Sequence, residues 1–245
     1  AKSIGIDILF TMPQDDDALL VSSFNKMKTP TYLAYADPVT NPEIDFAEHE
    51  FLNEFVGQVK GKAVSKTSIR LETESDGVAR RWTALPQGLP PFLAIALTKP
   101  NPEFAKNQGA IRYLVPTTPD MPVFDKFPIE SFADPATADM LQSFIKDKYV
   151  LIGGDFIDRD RFETPIGSIL NLQSDDGKMI GLEVHAHMLA QLLDDDIPAP
   201  IPNWVLWVAA IIIAICGGLS ALIGGNALKV GGLLIGQFIF FIVFP

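Results

Sequence analysis

Cysteine is almost absent from this sequence: Cys216 is the one cysteine in 245 residues. No disulfide can therefore form within the chain, and the fold has to be held by burial alone, which roughly 200 residues can manage without staples. Charge is missing just as selectively. From Trp204 to Pro245 the one charged residue is Lys229, so 18 of the 19 basic and all 30 acidic side chains fall in the first 203 residues. That acidic balance gives no clustered Lys and Arg to hold a phosphate backbone, and nucleic acid is excluded as a partner. Catalytic signatures are missing too. The sequence contains no HExxH, no GxxxxGK[ST] and no GxGxxG, and no Ser-His-Asp set is readable by motif. No catalytic residue, metal or cofactor is therefore expected.

The uncharged carboxyl-terminal stretch is as informative as these gaps. Residues 204–223 read WVLWVAAIIIAICGGLSALI, and at 1.5 Å rise per residue they match the roughly 30 Å hydrocarbon core of a bilayer. Trp204 and Trp207 stand where interfacial indoles belong. After a short break a second apolar run, 230–245, is expected to be an incomplete second span. Lys229 on the inner side and Asp194, Asp195 and Asp196 before the first span place residues 1–203 outside the cytoplasm. Gly217-Gly218 and Gly224-Gly225 suit close helix approach. The chain opens at Ala1 without an initiator Met, which points to a fragment or processed chain.

Within the acidic part, apolar runs bounded by breakers predict strands at 3–10, 31–35 and 149–153. Helices are predicted at 17–26, 44–59, 92–97, 136–145 and 181–193, a hairpin or paired edge strands over 67–73 and 76–82, and a further strand at 110–115. The alternation implies an α/β fold, a mostly parallel sheet sandwiched by helices, followed by a transmembrane helical hairpin. The expected organisation is a domain at 1–196, a proline-rich linker at 197–203 and the two spans.

Open α/β sheets bind ligands beyond the carboxyl ends of their strands. Asp7, and the loop 154–165 after the strand 149–153, therefore form the leading candidate site. Asp155, Asp160 and Thr164 are its candidate ligand-binding residues, with His185 from the helix 181–193. The same loop reads equally as a solvated run of self-paired charges. Asp155, Asp158, Asp160 and Glu163 offer oxygens to a hard cation, but their spacing fails the helix-loop-helix calcium pattern. His185 and His187 point about 200° apart on a helix and cannot chelate one ion.

Several segments together resemble one family. AKSIGIDILF, DGVARRWTAL, PPFLAIAL, IRYLVP with FPIESFAD, IKDKYVLIGGDFIDRDRFETPIG and MIGLEVHAHMLAQLLDD occur in order. They are similar to the CHASE domains of the second type, the cyclase and histidine-kinase associated sensory extracellular domains of bacteria. The resemblance implies an extracytoplasmic sensory input domain of an inner-membrane (plasma-membrane) signalling protein. Such a domain takes an unknown small-molecule ligand or envelope cue and passes it through membrane helices to a cytoplasmic output absent from these residues. A homo-oligomer, dimer or larger, is expected for such coupling. The alternative is a membrane-anchored structural or assembly module without a ligand. An envelope metal-dependent hydrolase is the minor third reading.

Overall fold

The structure is a computed structural model that describes residues 1–39, 41, 43–84, 88–98, 109–118, 121–156, 160–167, 177–196, 201–222, 231–232 and 235–236. It divides into two compact units, Ala1–Pro198 and Ala199–Pro245.

The first unit is built on four parallel strands, β1 Ser3–Asp7, β2 Thr31–Tyr35, β3 Val64–Ser68 and β4 Tyr149–Gly153, in the order β3-β2-β1-β4. The predicted parallel sheet flanked by helices is what forms. Alternation along the strands sorts side chains between two helical layers. Ile6 and Leu33 face helices α1 (Asp17–Lys26) and α2 (Phe46–Gln58), where they join Val21, Phe24, Leu52, Phe55 and Val56 in one core. Tyr32 and Leu151 face α3 (Leu93–Thr98) and α5 (Gly181–Leu193), in a second core with Leu93, Leu97, Val184 and Met188. Gly5 is required here by space. A Cβ at that position would stand 2.7 Å from Leu93 Cδ1 and 2.9 Å from Leu151 Cδ2.

Local chemistry fixes the helix ends. Asp45 and Glu48 form a reciprocal capping box on α2, with Glu48 N–H donating to Asp45 at 2.8 Å and Asp45 N–H donating to Glu48 at 3.0 Å. Asp134 caps α4 (Pro135–Ile145), whose first residue is proline. Two further short strands, β5 Arg161–Phe162 and β6 Met179–Ile180, pair antiparallel just before α5.

Two expectations are corrected. The hairpin over 67–82 does not form: β3 ends at Ser68, and a turn at Glu74–Gly77 closes with Gly77 at φ 85°. No ladder follows it, because the outgoing strand-like residues bond elsewhere. Ala79 N–H donates to Glu163 O at 2.8 Å and Trp82 N–H to Gly109 O at 3.0 Å. The segment 110–115 is likewise not a strand: it makes one isolated bridge, with Ile111 N–H donating to Arg80 O at 2.7 Å, and side chains of α5 take backbone groups of Ala110, Arg112 and Leu114. Gln191 Oε1 accepts from Arg112 N–H at 3.2 Å, Gln191 Nε2 donates to Ala110 O at 3.1 Å, and His187 Nδ1 accepts from Leu114 N–H at 3.1 Å.

The second unit contains α6, Asn203–Leu222, a helix of 20 residues without a charged side chain. Its apolar residues are exposed, Trp204, Trp207, Ile211 and Ile215 among them. Among the described residues no helix is long and apolar enough to cross a membrane; in α6 the described side chains end at Leu219. Of the expected second span, residues 231–232 and 235–236 are helical, and the rest of 230–245 lies outside the described residues, as does most of the linker 197–203.

Gln191 is fully buried and also accepts from Trp82 Nε1 at 2.9 Å. Replacing it by leucine would leave the buried Trp82 Nε1 without this partner and release the part-buried backbone groups of Ala110 and Arg112. Gln191→Leu is expected to lower stability by about 2–5 kcal/mol, read as a fall in melting temperature by circular dichroism; an unchanged melting temperature would contradict this role.

Candidate functional site

β1 lies at the centre of the sheet, with β2 on one side and β4 on the other. The chain leaves β1 towards β2 and returns much later as β4, so the gap between β1 and β4 is the point where the strand order reverses. Crevices at such points, beyond the carboxyl ends of the strands, are where open α/β sheets hold ligands. Asp7 is the last residue of β1 and is paired in register with Gly153, the last residue of β4. Strand alternation puts Asp7 on the α3 and α5 side of the sheet. Leu182, in the first turn of α5, sits over Gly153, where a Cβ would meet its Cδ1 at 3.0 Å.

The start of α5 brings the other two polar groups to the same place. Asp160 stands just before β5, with φ 56°, a left-handed conformation that aspartate tolerates better than most residues. Its carbonyl accepts from Gly181 N–H at 2.9 Å. Its carboxylate lies directly against the Gly181 Cα, in the space that any larger residue would fill. Gly181 is thus required by the carboxylate above it. The residue as a whole remains exposed, so the enclosed part of Asp160 is the side of its carboxylate turned to α5. His185 follows Gly181 by four residues and therefore lies on the same face of the helix.

His185 is 1 % exposed. Its Nε2 lies 3.2 Å from Ile69 O, and a carbonyl can only accept, so Nε2 carries the proton. Nδ1 is then a bare lone pair, buried and, among the described residues, without a hydrogen-bond partner. Burial lowers the His185 pKa to about 4, against the opposing pull of Asp160, and the ring is neutral. Burial raises Asp7 to about 7. Burial first, and the charge of Asp7 second, raise Asp160 to about 6, opposed by His185 and Arg161. The three side chains thus form one electrostatic unit that presents acceptors and no fixed positive charge of its own.

The remaining candidates are placed differently. Asp155 is exposed and paired with Arg161, the self-paired arrangement that the loop's charge pattern also allowed. Thr164 is buried with Oγ1 unpartnered, and its carbonyl accepts from Gly167 N–H at 3.0 Å. Asp158 lies outside the described residues. Among the described residues no group of three His, Cys, Asp or Glu is placed to hold a metal ion. His187 points away from His185, with its ring 5.0 Å from that of Phe124 and 5.2 Å from that of Tyr113. Cavities of about 280 Å³ beside Arg81 and Trp82 and about 350 Å³ beside Phe10 and Asp17 lie apart from the Asp7, Asp160 and His185 group.

The family model described as the CHASE2 domain matches residues 1–222. The chain belongs to the CHASE2 domain family. No curated protein and no solved structure matches it. CHASE2 domains are sensory extracellular domains of signalling proteins, sensory modules rather than catalytic ones. The match runs through α5 and to the end of α6, so the acid group, the helix that carries His185 and the apolar helix all lie within the CHASE2 region.

Sequence reading missed Gly181 and Gln191. Gln191 was detectable as the polar break in an apolar stripe containing Met188, Leu189 and Leu192; Gly181 opens a helix, where glycine carries little signal.

The raised acids set a pH dependence. Asp7 goes from 3.8 to about 7, so between those values the folded state keeps a proton that the unfolded chain has lost, and stability from this group falls as pH rises through about 7. Asp160 acts in the same sense up to about 6, while His185 and His187, lowered to about 4, act in the opposite sense below the ordinary histidine value. Asp7→Asn is expected to be more stable than the parent at pH about 8, by on the order of 1–3 kcal/mol after discounting for partial solvent exposure, and to melt with the parent at pH about 4. Equal differences at both pH values, measured by thermal denaturation, would refute burial of an ionisable Asp7.

Proposed function

We propose that the chain is the extracytoplasmic sensory input domain of a bacterial inner-membrane signalling protein, with α6 crossing the bilayer and the output domain outside these residues. The observation that carries this reading is the placement of Asp160 against Gly181, with His185 one turn further along α5, on the side of the sheet where Asp7 ends β1 at the β1–β4 reversal point. α5 has the acid group at its first turn. Its last turn is tied to the segment 110–114 by the Gln191 bonds and by Arg112, which pairs with Asp194 and, at 2.8 Å, with Asp196. A ligand at one end of this helix bears on the point where the chain leaves the domain. It can shift the balance of two arrangements only by the difference in its affinities for them. The uncharged run of residues 204–223 supports the membrane crossing, as do the exposed Trp204 and Trp207. A homodimer suits the coupling, with Gly217 and Gly218 allowing close helix approach.

A second reading, an assembly module without a ligand, is favoured by one feature. α4 has no buried residue, and it exposes Met140 and Phe144 beside Ile129. Light scattering on the detergent-solubilised chain separates the two: a defined dimer is expected for the sensor, and large regular assemblies would favour the module.

Topology is testable with the chain's own chemistry. Ser75 is exposed and Cys216 lies within α6. Ser75→Cys in intact spheroplasts is expected to react with a membrane-impermeant maleimide from outside, while the parent does not. Labelling of Ser75→Cys only after lysis would overturn the extracytoplasmic placement.

A further inference from the structure

The two edges of the parallel sheet are finished differently. At β3 the edge is closed: Ser68 N–H donates to Pro91 O at 2.8 Å and bridges Phe92, Thr67 Oγ1 donates to Pro91 O at 2.9 Å, and Lys66 stands in the strand itself. A covering segment and an in-strand lysine are two of the devices that keep sheet edges from pairing. β4, at the other edge, has neither. Its sequence Tyr149-Val150-Leu151-Ile152-Gly153 carries no charge and no proline, and all five residues are half-buried. Among the described residues no hydrogen bond reaches its outer side. α4 flanks this edge. It is joined to β4 by residues 146–148, and the Phe127 ring, 5.2 Å from that of Phe144 on α4, follows Phe124 and Lys126, which lie on His187 and Glu183 of α5. α3 packs over β1 and β2 and α5 over β4, so α4 comes next on the same side of the sheet. It presents Met140, 76 % exposed, and Phe144, 50 % exposed, one turn apart.

We infer that the open edge of β4, together with Met140 and Phe144, is the interface to a second copy of this chain, with the two β4 strands paired antiparallel about a twofold axis. Three observations select this occupant. The first is charge. The amino end of β4 is basic, with the exposed Lys2, Lys146 and Lys148 against Asp147. The carboxyl end is acidic, with Asp155, Asp160 and, once ionised, Asp7 against Arg161. Antiparallel pairing lays the basic end of each copy on the acidic end of the other. Centred on Leu151, it sets Lys148 opposite Gly154 of the second copy, next to Asp155. Parallel pairing would set like charges together. The second is closure. With β3 covered, each copy has one edge to offer, so pairing stops at two and joins the two four-stranded sheets into one. The third is facing. A twofold axis between antiparallel strands stands normal to the sheet, so both copies carry α4 and α5 on the same side, and the exposed face of each α4 turns to its counterpart. Main-chain bonds between the edges supply the pairing, and the helix faces supply the apolar burial that one chain lacks. The inference rests on the sensory reading and deepens it by naming the partner and its surface: both chains leave the domain from α5 on one side of the joined sheet, as two chains held in one bilayer must.

The test is light scattering of the full chain in detergent, with cross-linking in the same preparation. The parent is expected to be a dimer. Met140→Glu and Phe144→Asp, both at exposed positions, are each expected to raise its dissociation constant at least about tenfold with a cooperative melting curve. Cross-linking uses a Cys216→Ser background and a short bismaleimide, so that only introduced thiols react. Co-expressed Lys148→Cys and Asp155→Cys chains are expected to link to each other. Lys148→Cys alone is expected not to link, because antiparallel pairing centred on Leu151 holds the two copies of that position about 20 Å apart. Ser75→Cys, exposed in the turn Glu74–Gly77, is the control and is expected not to link. This arm leaves α4 unaltered and decides the matter if a charged variant fails to fold. A monomeric parent, open-ended assemblies, an undiminished dimer in either folded α4 variant, no link between the mixed chains, or linking by Lys148→Cys alone would each overturn the assignment. If the dimer survives both α4 variants while Ser75→Cys is still labelled from outside, the β4 interface falls and the sensory placement stands; failed labelling removes the placement itself.

Discussion

The placement of α5 is the constraint on which the rest of the first unit depends. This helix buries three polar side chains, His185, His187 and Gln191, each within 2 % of full burial. Buried polar groups have to be matched, and here the matching backbone comes from segments that belong to no sheet. Ile69 O faces His185, Leu114 N–H is taken by His187, and Ala110 O and Arg112 N–H are taken by Gln191. The helix thereby does for these irregular segments what a neighbouring strand would otherwise do. It lies on the sheet through Val184, Met188 and Leu192, so the same element joins the regular core to the irregular layer.

That arrangement gives the two ends of α5 different work. The first turn is crowded on one side by Leu182 over Gly153 and on the other by the Asp160 carboxylate against Gly181. The last turn is fixed by Arg112 to Asp194 and Asp196. A shift of the helix along its axis would alter the Asp160 contact and the Arg112 pairs together, because the buried Val184, Met188 and Leu192 between them hold the helix on the sheet. Interiors of this density move between discrete arrangements rather than deforming smoothly. In the proposed sensory role this makes α5 the element whose two positions a ligand would weigh against each other.

Periodicity made the regular layer legible in the sequence. The apolar runs 31–35 and 149–153 and the amphipathic stretches 17–26 and 181–193 coincide with β2, β4, α1 and α5, since in each the residues that create the pattern are those the core buries. Asp7 and Asp160 were legible for a related reason: a carboxylate at the end of an apolar strand, or in the loop after one, has few structural uses. The irregular layer was not legible. Residues 110–115 alternate as a strand does, but whether a strand forms is decided by what lies beside it, and the neighbour turned out to be helix side chains 73 to 81 positions away. The turn at Glu74–Gly77 was readable from its glycine, whereas the partner of the residues after it, Glu163, was not. Loop charge was ambiguous in the same way, and Arg161 divides it by pairing with Asp155 while leaving Asp160 to α5.

The cost carried by the acid group argues about its purpose. A neutral polar residue at the end of β1 would avoid the penalty that burial places on Asp7, and an uncharged one before β5 would relieve Asp160 of the like charge beside it. Neither acid pairs with Arg112, Arg161 or Lys126, whose described ion pairs are all with other carboxylates. The Asp160 carboxylate occupies the space against Gly181 that a Cβ would fill. Two acids whose burial opposes stability therefore lie on the α5 side of the sheet, near the reversal of strand order. Structural requirements do not explain their coincidence, because the fold's caps, cores and clamps are satisfied without them. Any position of α5 that relieves the burial of Asp7 and Asp160 more than another does is favoured by whatever stabilises the ionised acids, and that difference is the kind of bias a two-state sensor requires.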